Sequence, residues 1–168
     1  MFLVFSAVIY TLIIHFFHIE ISIFNIKGFG KTSEWQSNLD TDAVNNWIDS
    51  HLSYSAMLIG FFMAFWTKII FYKKGYNLFE IFVLLSYIFG VFFIFLLLFL
   101  IPAKFTNLLI IAQVGAYLGQ LYVVFAIGQF FGERKIINYI KGFICFFLGI
   151  LTYKYSLVLL AYLIHLFK

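Results

Sequence analysis

The sequence predicts an all-α membrane protein, a bundle of transmembrane helices in a single domain that covers residues 1–168. Apolar residues make up 64% of the chain and charged residues only 11%, whereas a soluble domain is about half apolar and about a quarter charged. The apolar residues form stretches long enough to cross a bilayer, which takes about 20 residues. The basic residues are scattered, so the net charge of +4 does not indicate a nucleic-acid partner.

Five stretches satisfy the length requirement, and four spans remain an alternative. The first has no basic residue before its apolar run and no small-residue cleavage site, so it is interpreted as an anchor rather than a signal peptide. Lys154 divides the fifth, which leaves either one helix with a buried lysine or two re-entrant pieces. A single helix is favoured because free backbone polar groups are costly in lipid. The predicted spans are residues 2–24, 52–72, 78–101, 107–131 and 143–167.

The positions of lysine and arginine predict the orientation. Basic residues concentrate around the second-to-third and the fourth-to-fifth connections, whereas the turn predicted at residues 102–106 holds only Lys104. Because basic loops face the cytoplasm, the N-terminus is expected inside a bacterial cytoplasmic membrane. Residues 132–141 alternate basic and apolar positions, and we expect them to lie on the inner leaflet. The residues of the two basic connections are Lys68, Lys73, Lys74, Arg134, Lys135 and Lys141.

Residues 25–51 are expected to form an outer segment, because acidic residues outnumber basic residues there. Val44, Trp47 and Ile48 stand at helical spacing near its end. Two interpretations are open. The pattern predicts either a short amphipathic helix on the outer membrane surface, with Trp47 at headgroup depth, or an extra turn at the start of the second span.

Small residues form a stripe along the fourth predicted span. Ala112, Gly115, Gly119 and Ala126 fall on one side of a helix, and Gly115 to Gly119 is a small-xxx-small pair. Such residues let two helix backbones approach closely, which is how helices associate in lipid. The stripe is therefore predicted to be a helix-packing surface.

Polar side chains at membrane depth need a reason, because they are costly in lipid. Gln113, Tyr117 and Gln120 align at i, i+4 and i+7 and predict either interhelical hydrogen bonds or a polar pathway. Lys154 would belong to such a pathway, or would extend its ammonium toward an interface. Glu80 begins the third span, where an acid complements the helix dipole. A proton-relay role is the alternative for Glu80.

Three histidines are weak candidates for a metal or haem site. His15 and His18 share one face of the first span, and His51 begins the second. Polar residues at a membrane interface are the favoured interpretation, because no metalloenzyme signature such as HExxH is present. No cofactor is therefore predicted.

Two segments carry a resemblance to a known family. Residues 72–74 form a basic turn, which is followed by the aromatic-Asn-x-x-Glu pattern of Tyr76, Asn77 and Glu80, and residues 128–132 read Gly-Gln-Phe-Phe-Gly. The stretch, about half of the chain, resembles a family of bacterial inner-membrane proteins catalogued only as a domain of unknown function. Family members usually carry His where this chain has Ile81, and an N-terminal cysteine zinc ribbon. The resemblance implies a short form and a membrane topology, not a reaction.

The sequence predicts a non-enzymatic membrane component that binds another membrane protein, or a second copy of itself, through the small-residue stripe. No nucleophile elbow, P-loop or pair of catalytic acids is present. The alternative is a small-solute or ion pathway through the bundle. A redox protein based on the three histidines is the third hypothesis.

Overall fold

The computed structural model describes residues 2–17, 52–106, 108–132 and 136–166. These residues form α-helices, with no strand among them, which confirms the all-α prediction. In chain order the elements are α1 (Phe2–Phe17), α2 (Leu52–Ile70), a 3-10 turn (Tyr72–Lys74), α3 (Leu78–Thr106), α4 (Leu109–Phe131) and α5 (Ile136–Leu166).

Three of the helices in the described ranges are long and apolar enough to cross a membrane. They are α3, α4 from Ile110, and the Ile136–Leu159 part of α5. The apolar parts of α1 and α2 are shorter. The chain is therefore a membrane protein. Residues 18–24 of the first predicted span and the predicted outer segment lie outside the described residues.

Helix α3 is central in the bundle because it packs against α1, α2 and α4, while α5 packs against both α2 and α4. The rings of Tyr10 on α1 and Phe93 on α3 lie 5.4 Å apart, and both side chains are buried. Between α2 and α5 the backbones approach closely, since a methyl group on Gly149 would lie 3.1 Å from Cα of Met63. All five helices contribute buried side chains to one apolar core.

A tight turn connects α2 to α3. Gly75 adopts φ 79°, a left-handed conformation that costs a residue with a side chain about 1–2 kcal/mol. The Nζ of Lys68, in the last turn of α2, donates a hydrogen bond to the carbonyl of Tyr76 across this turn. The chain therefore reverses within a few residues, and α3 starts beside the end of α2.

The predicted turn at residues 102–106 is wrong, because α3 continues through Pro102 to Thr106. A proline this close to the end of a helix removes only one late backbone hydrogen bond. The hydroxyl of Thr106 donates to the carbonyl of Pro102 at 2.9 Å, one helical turn earlier. Lys104 lies in the last turn, where its charge complements the helix dipole.

Helix α5 also differs from the predicted span, because it begins at Ile136 rather than at residue 143. Residues 136–142, predicted to be part of a connection, are its first two turns. The helix is continuous through Lys154, which confirms the single-helix interpretation. Its 31 residues correspond to about 46 Å, more than the ~30 Å of a bilayer core, so α5 is long enough to extend beyond the core.

Candidate functional site

The small-residue stripe of α4 packs against α3 of the same chain. Gly115 and Gly119 are buried, and a methyl group on Gly119 would lie 2.7 Å from the ring of Phe92. A methyl group on Gly115 would overlap the side chain of Phe99. The stripe is thus a helix-packing surface, but its partner is α3. The expectation that a second protein binds there is corrected, since no room remains for another helix.

The alanines of the stripe are also used inside the chain. Ala112 and Ala126 are half-buried and pack against the core. Two further glycines join α4 to α5, because a methyl group on Gly128 would lie 2.6 Å from the Tyr139 ring and one on Gly142 would lie 2.9 Å from the Val124 carbonyl oxygen. The small residues of α4 therefore pack against two of its neighbours, α3 and α5.

The predicted polar residues of α4 do not line the interior of the bundle. Gln113 is exposed, and Tyr117 is 67% exposed. Gln120 is half-buried at the side of this face. The pathway hypothesis expects Gln113 and Tyr117 inside the bundle, and the structure places both at its surface. The two side chains instead belong to the outer face of α4.

The outer face of α4 is otherwise apolar. Its two polar side chains lie four and eight residues after Leu109, roughly 6 and 12 Å along the helix axis. Within the described residues, the Gln113 carboxamide and the Tyr117 hydroxyl make no hydrogen bond. The exposed apolar residues around them are Ile110, Val114, Leu118 and Leu121. Together these six residues are the α4 outer face.

Lys154 is half-buried on α5, between the buried Tyr153 and the exposed Tyr155. It lies 13 residues after Lys141 on the same helix, roughly 20 Å along the axis. Glu80 lies in the first turn of α3, whereas Lys154 lies in the second half of α5. Lys154 lies on a different helix from Gln113 and Tyr117.

Glu80 caps the helix that contains it. Its carboxylate accepts a hydrogen bond from the backbone N–H of Asn77 at 2.8 Å. Asn77 precedes the first residue of α3 and Glu80 is its third, which is the geometry of one half of a capping box. The side chain is exposed. The geometry therefore gives Glu80 a structural role and offers no support for a proton relay.

The histidines do not form a described site. His15 is exposed on α1, whereas His18 and His51 lie outside the described residues. In the described ranges, no three His, Cys, Asp or Glu side chains are grouped closely enough to hold a metal ion.

The two basic connections, which the sequence predicts on one side of the membrane, meet at one end of the bundle. There α2 and α4 end and α3 and α5 begin. Phe71 after α2 stacks on Phe131 of α4, the Nζ of Lys141 lies 5.6 Å from the Phe71 ring, and Lys74 lies beside Gly132. The four lysines of these segments, Lys68, Lys73, Lys74 and Lys141, are called the basic end. Spacing does not predict these contacts between the two connections.

An aromatic cluster supports the basic end. Phe71 stacks on Phe131 with ring centroids 4.3 Å apart, and Tyr76 meets the edge of Phe131 at 5.6 Å. Phe71 and Phe131 are buried. The Nζ of Lys141 lies 5.6 Å from the centroid of the Phe71 ring, within the range of a cation–π contact. The cluster thus joins α2, α4, α5 and the turn before α3.

Comparison of the chain with models of known families, with curated proteins and with solved structures found no match. The class of protein is therefore defined by the fold alone: an α-helical membrane protein whose helices pack through glycines and aromatic rings.

Proposed function

We propose that this chain is a non-enzymatic component of a bacterial cytoplasmic membrane, with its N-terminus inside, and that two copies associate through the α4 outer face. The basic end supports the orientation, because lysines collect on the cytoplasmic side of membrane proteins. Among the described residues, Lys104 is the only basic residue at the opposite end of α3. The proposal keeps the predicted association but moves it to the other side of α4.

The observation that supports the association most directly is that Gln113 and Tyr117 are exposed on a helix that is long and apolar enough to span a membrane. A carboxamide that faces lipid has no hydrogen-bond partner, and such groups in spanning helices nearly always face protein or water. Since α3 and α5 pack on the other sides of α4 in the described structure, we infer that the protein partner of this face is a second chain.

The chemistry of Gln113 and Tyr117 favours a second copy of the chain as the partner of the α4 outer face. A carboxamide carries both donors and acceptors, and a tyrosine hydroxyl is likewise both. Around a two-fold axis, the same patch on both copies must be complementary to itself. Gln113 and Tyr117 satisfy that condition, and the apolar side chains between them supply van der Waals contact.

The test is dimerisation in vesicles, measured by energy transfer between donor-labelled and acceptor-labelled copies as lipid dilutes the protein. The combined substitution Q113L and Y117F is expected to weaken dimerisation about tenfold, because interhelical hydrogen bonds in membranes are individually modest. The matched control is Q129L, the same change at an exposed glutamine in the last turn of α4.

Two results would overturn the proposal. One is energy transfer in the unaltered chain no higher than random co-localisation at every dilution, which would mean no self-association. The other is an equal loss in Q129L, which would mean that removing any glutamine from α4 has the same effect.

A further inference from the structure

A second surface of the molecule is suited to a ligand of a different kind. The four lysines of the basic end come from three segments: Lys68 from α2, Lys73 and Lys74 from the 3-10 turn, and Lys141 from α5. All are exposed or half-buried. This convergence does not depend on association through α4.

Lys74 and Lys141 both lie close to the end of α4. A methyl group on Gly132, the residue after α4, would lie 3.8 Å from the Nζ of Lys74. The Nζ of Lys141 lies 5.6 Å from the Phe71 ring, which stacks on Phe131 at the end of α4. The carbonyl of Gly132 accepts a hydrogen bond from the side chain of the buried Asn138 at 3.3 Å and so links the end of α4 to the start of α5.

The described part of the chain only partly offsets the positive charge of this surface. Glu80, at the start of α3, is the one acidic side chain among the described residues, against the four lysines of the basic end. An anion is the complement that this surface lacks.

The surroundings indicate which kind of anion. Tyr72 and Phe130 are exposed at this end, 65% and 46% respectively, and aromatic side chains are enriched where helices leave the hydrocarbon for the headgroups. A ligand bound here would contact the lysine ammonium groups and also exposed aromatic and apolar side chains. A phosphate carried on an acyl-chain lipid satisfies both.

We propose that the basic end binds the phosphate of an anionic phospholipid, with Lys74 and Lys141 as the principal contacts. Lys68 is engaged with the Tyr76 carbonyl and fixes the turn that carries Lys74. The buried Phe71–Phe131 pair holds the ends of α2 and α4 together beneath these ammonium groups. The site is therefore built on packed elements rather than on a free loop.

The experiment is native mass spectrometry of the full chain, released from nanodiscs of phosphatidylcholine with or without phosphatidylglycerol. The unaltered chain is expected to retain phosphatidylglycerol in preference to phosphatidylcholine. The combined substitution K74Q and K141Q is expected to lower that retention roughly 30-fold, from the usual contribution of two lysines near an anionic surface. The matched control is K104Q, an exposed lysine at the other end of α3, which should retain the lipid.

A further arm separates the two sources of phosphate. Inorganic phosphate added to the released protein should not displace bound phosphatidylglycerol, because it lacks the acyl chains that contact the exposed aromatic residues. Displacement by phosphate would overturn the lipid assignment. Equal lipid retention in all variants, or no preference over phosphatidylcholine, would overturn the site itself.

Discussion

Phe71 and Phe131 lie face to face, with an interplanar angle of 18° and centroids 4.3 Å apart. The pair joins the residue after α2 to the last residue of α4, two positions separated by 60 residues in the chain. Because both rings are buried, it ties two helices that have no direct connection along the chain. The lysines of the basic end are held around this pair.

Replacement of Phe71 with Ala is expected to destabilise the bundle by about 3 kcal/mol, because it removes a buried aromatic side chain and its stacking contact with Phe131. Thermal unfolding in detergent measures the loss. F130A is the matched control, because the Phe130 ring is 46% exposed and its removal leaves a smaller cavity. Equal destabilisation by the two variants would contradict the role given to the stack.

Substitution of Gly119 with Ala tests whether the small-residue stripe serves α3. The added methyl group would lie 2.7 Å from the Phe92 ring, so the helices must separate, at a cost of about 1–3 kcal/mol. Stability should fall while dimerisation of the remaining folded protein is unchanged. Dimer loss without any loss of stability would instead place a second protein on the stripe. L98A, at a 64% exposed site of α3 that is not part of the α4 outer face, is the stability control.

Gly75 is predicted to be required for its backbone conformation and not for space. No atom lies within 4 Å of where its Cβ would be, yet φ is 79°. Substitution with Ala should therefore cost about 1 kcal/mol, and substitution with Asn less, because Asn tolerates the left-handed region. Thermal unfolding of the two variants gives the order. An alanine variant as stable as the unaltered chain would refute the requirement.

The capping role of Glu80 predicts a distinction between two substitutions. Glutamine also serves at this position of a capping box, so E80Q should keep most of the stability, whereas E80A should lose about 0.5–1 kcal/mol. Both changes remove the charge, and only one removes the hydrogen-bond acceptor. If E80Q and E80A lose the same stability, the charge rather than the cap is the stabilising element.

Much of the fold follows from hydropathy, because a spanning helix must bury a long apolar run whatever its neighbours are. The helix ends follow less well. Pro102 and its neighbours look like a turn, but one late backbone hydrogen bond is too small a loss to stop α3 there. The first two turns of α5 contain Asn138 and Lys141, polar residues that hydropathy assigns to a connection.

The spacing of residues does not show how each helix is rotated about its own axis in the bundle. Gly115 and Gln113 are two residues apart, so their directions differ by about 160° around the helix axis. Once Phe99 packs on Gly115, Gln113 has to face outward. The sequence places these residues on different faces of α4, but it does not say which face meets α3. The basic end depends likewise on long-range contacts between helices.

The central proposal is that α3, α4 and α5 cross the membrane in alternation, with the basic end inside and Lys104 outside. Two single-cysteine variants, K73C and K104C, test this orientation directly. Intact bacterial cells that express each variant are labelled with a membrane-impermeant maleimide. The unaltered chain is the blank, because Cys145 is buried. The account predicts that K104C is labelled in intact cells and K73C only after permeabilisation. Labelling of both positions from the same side would contradict it.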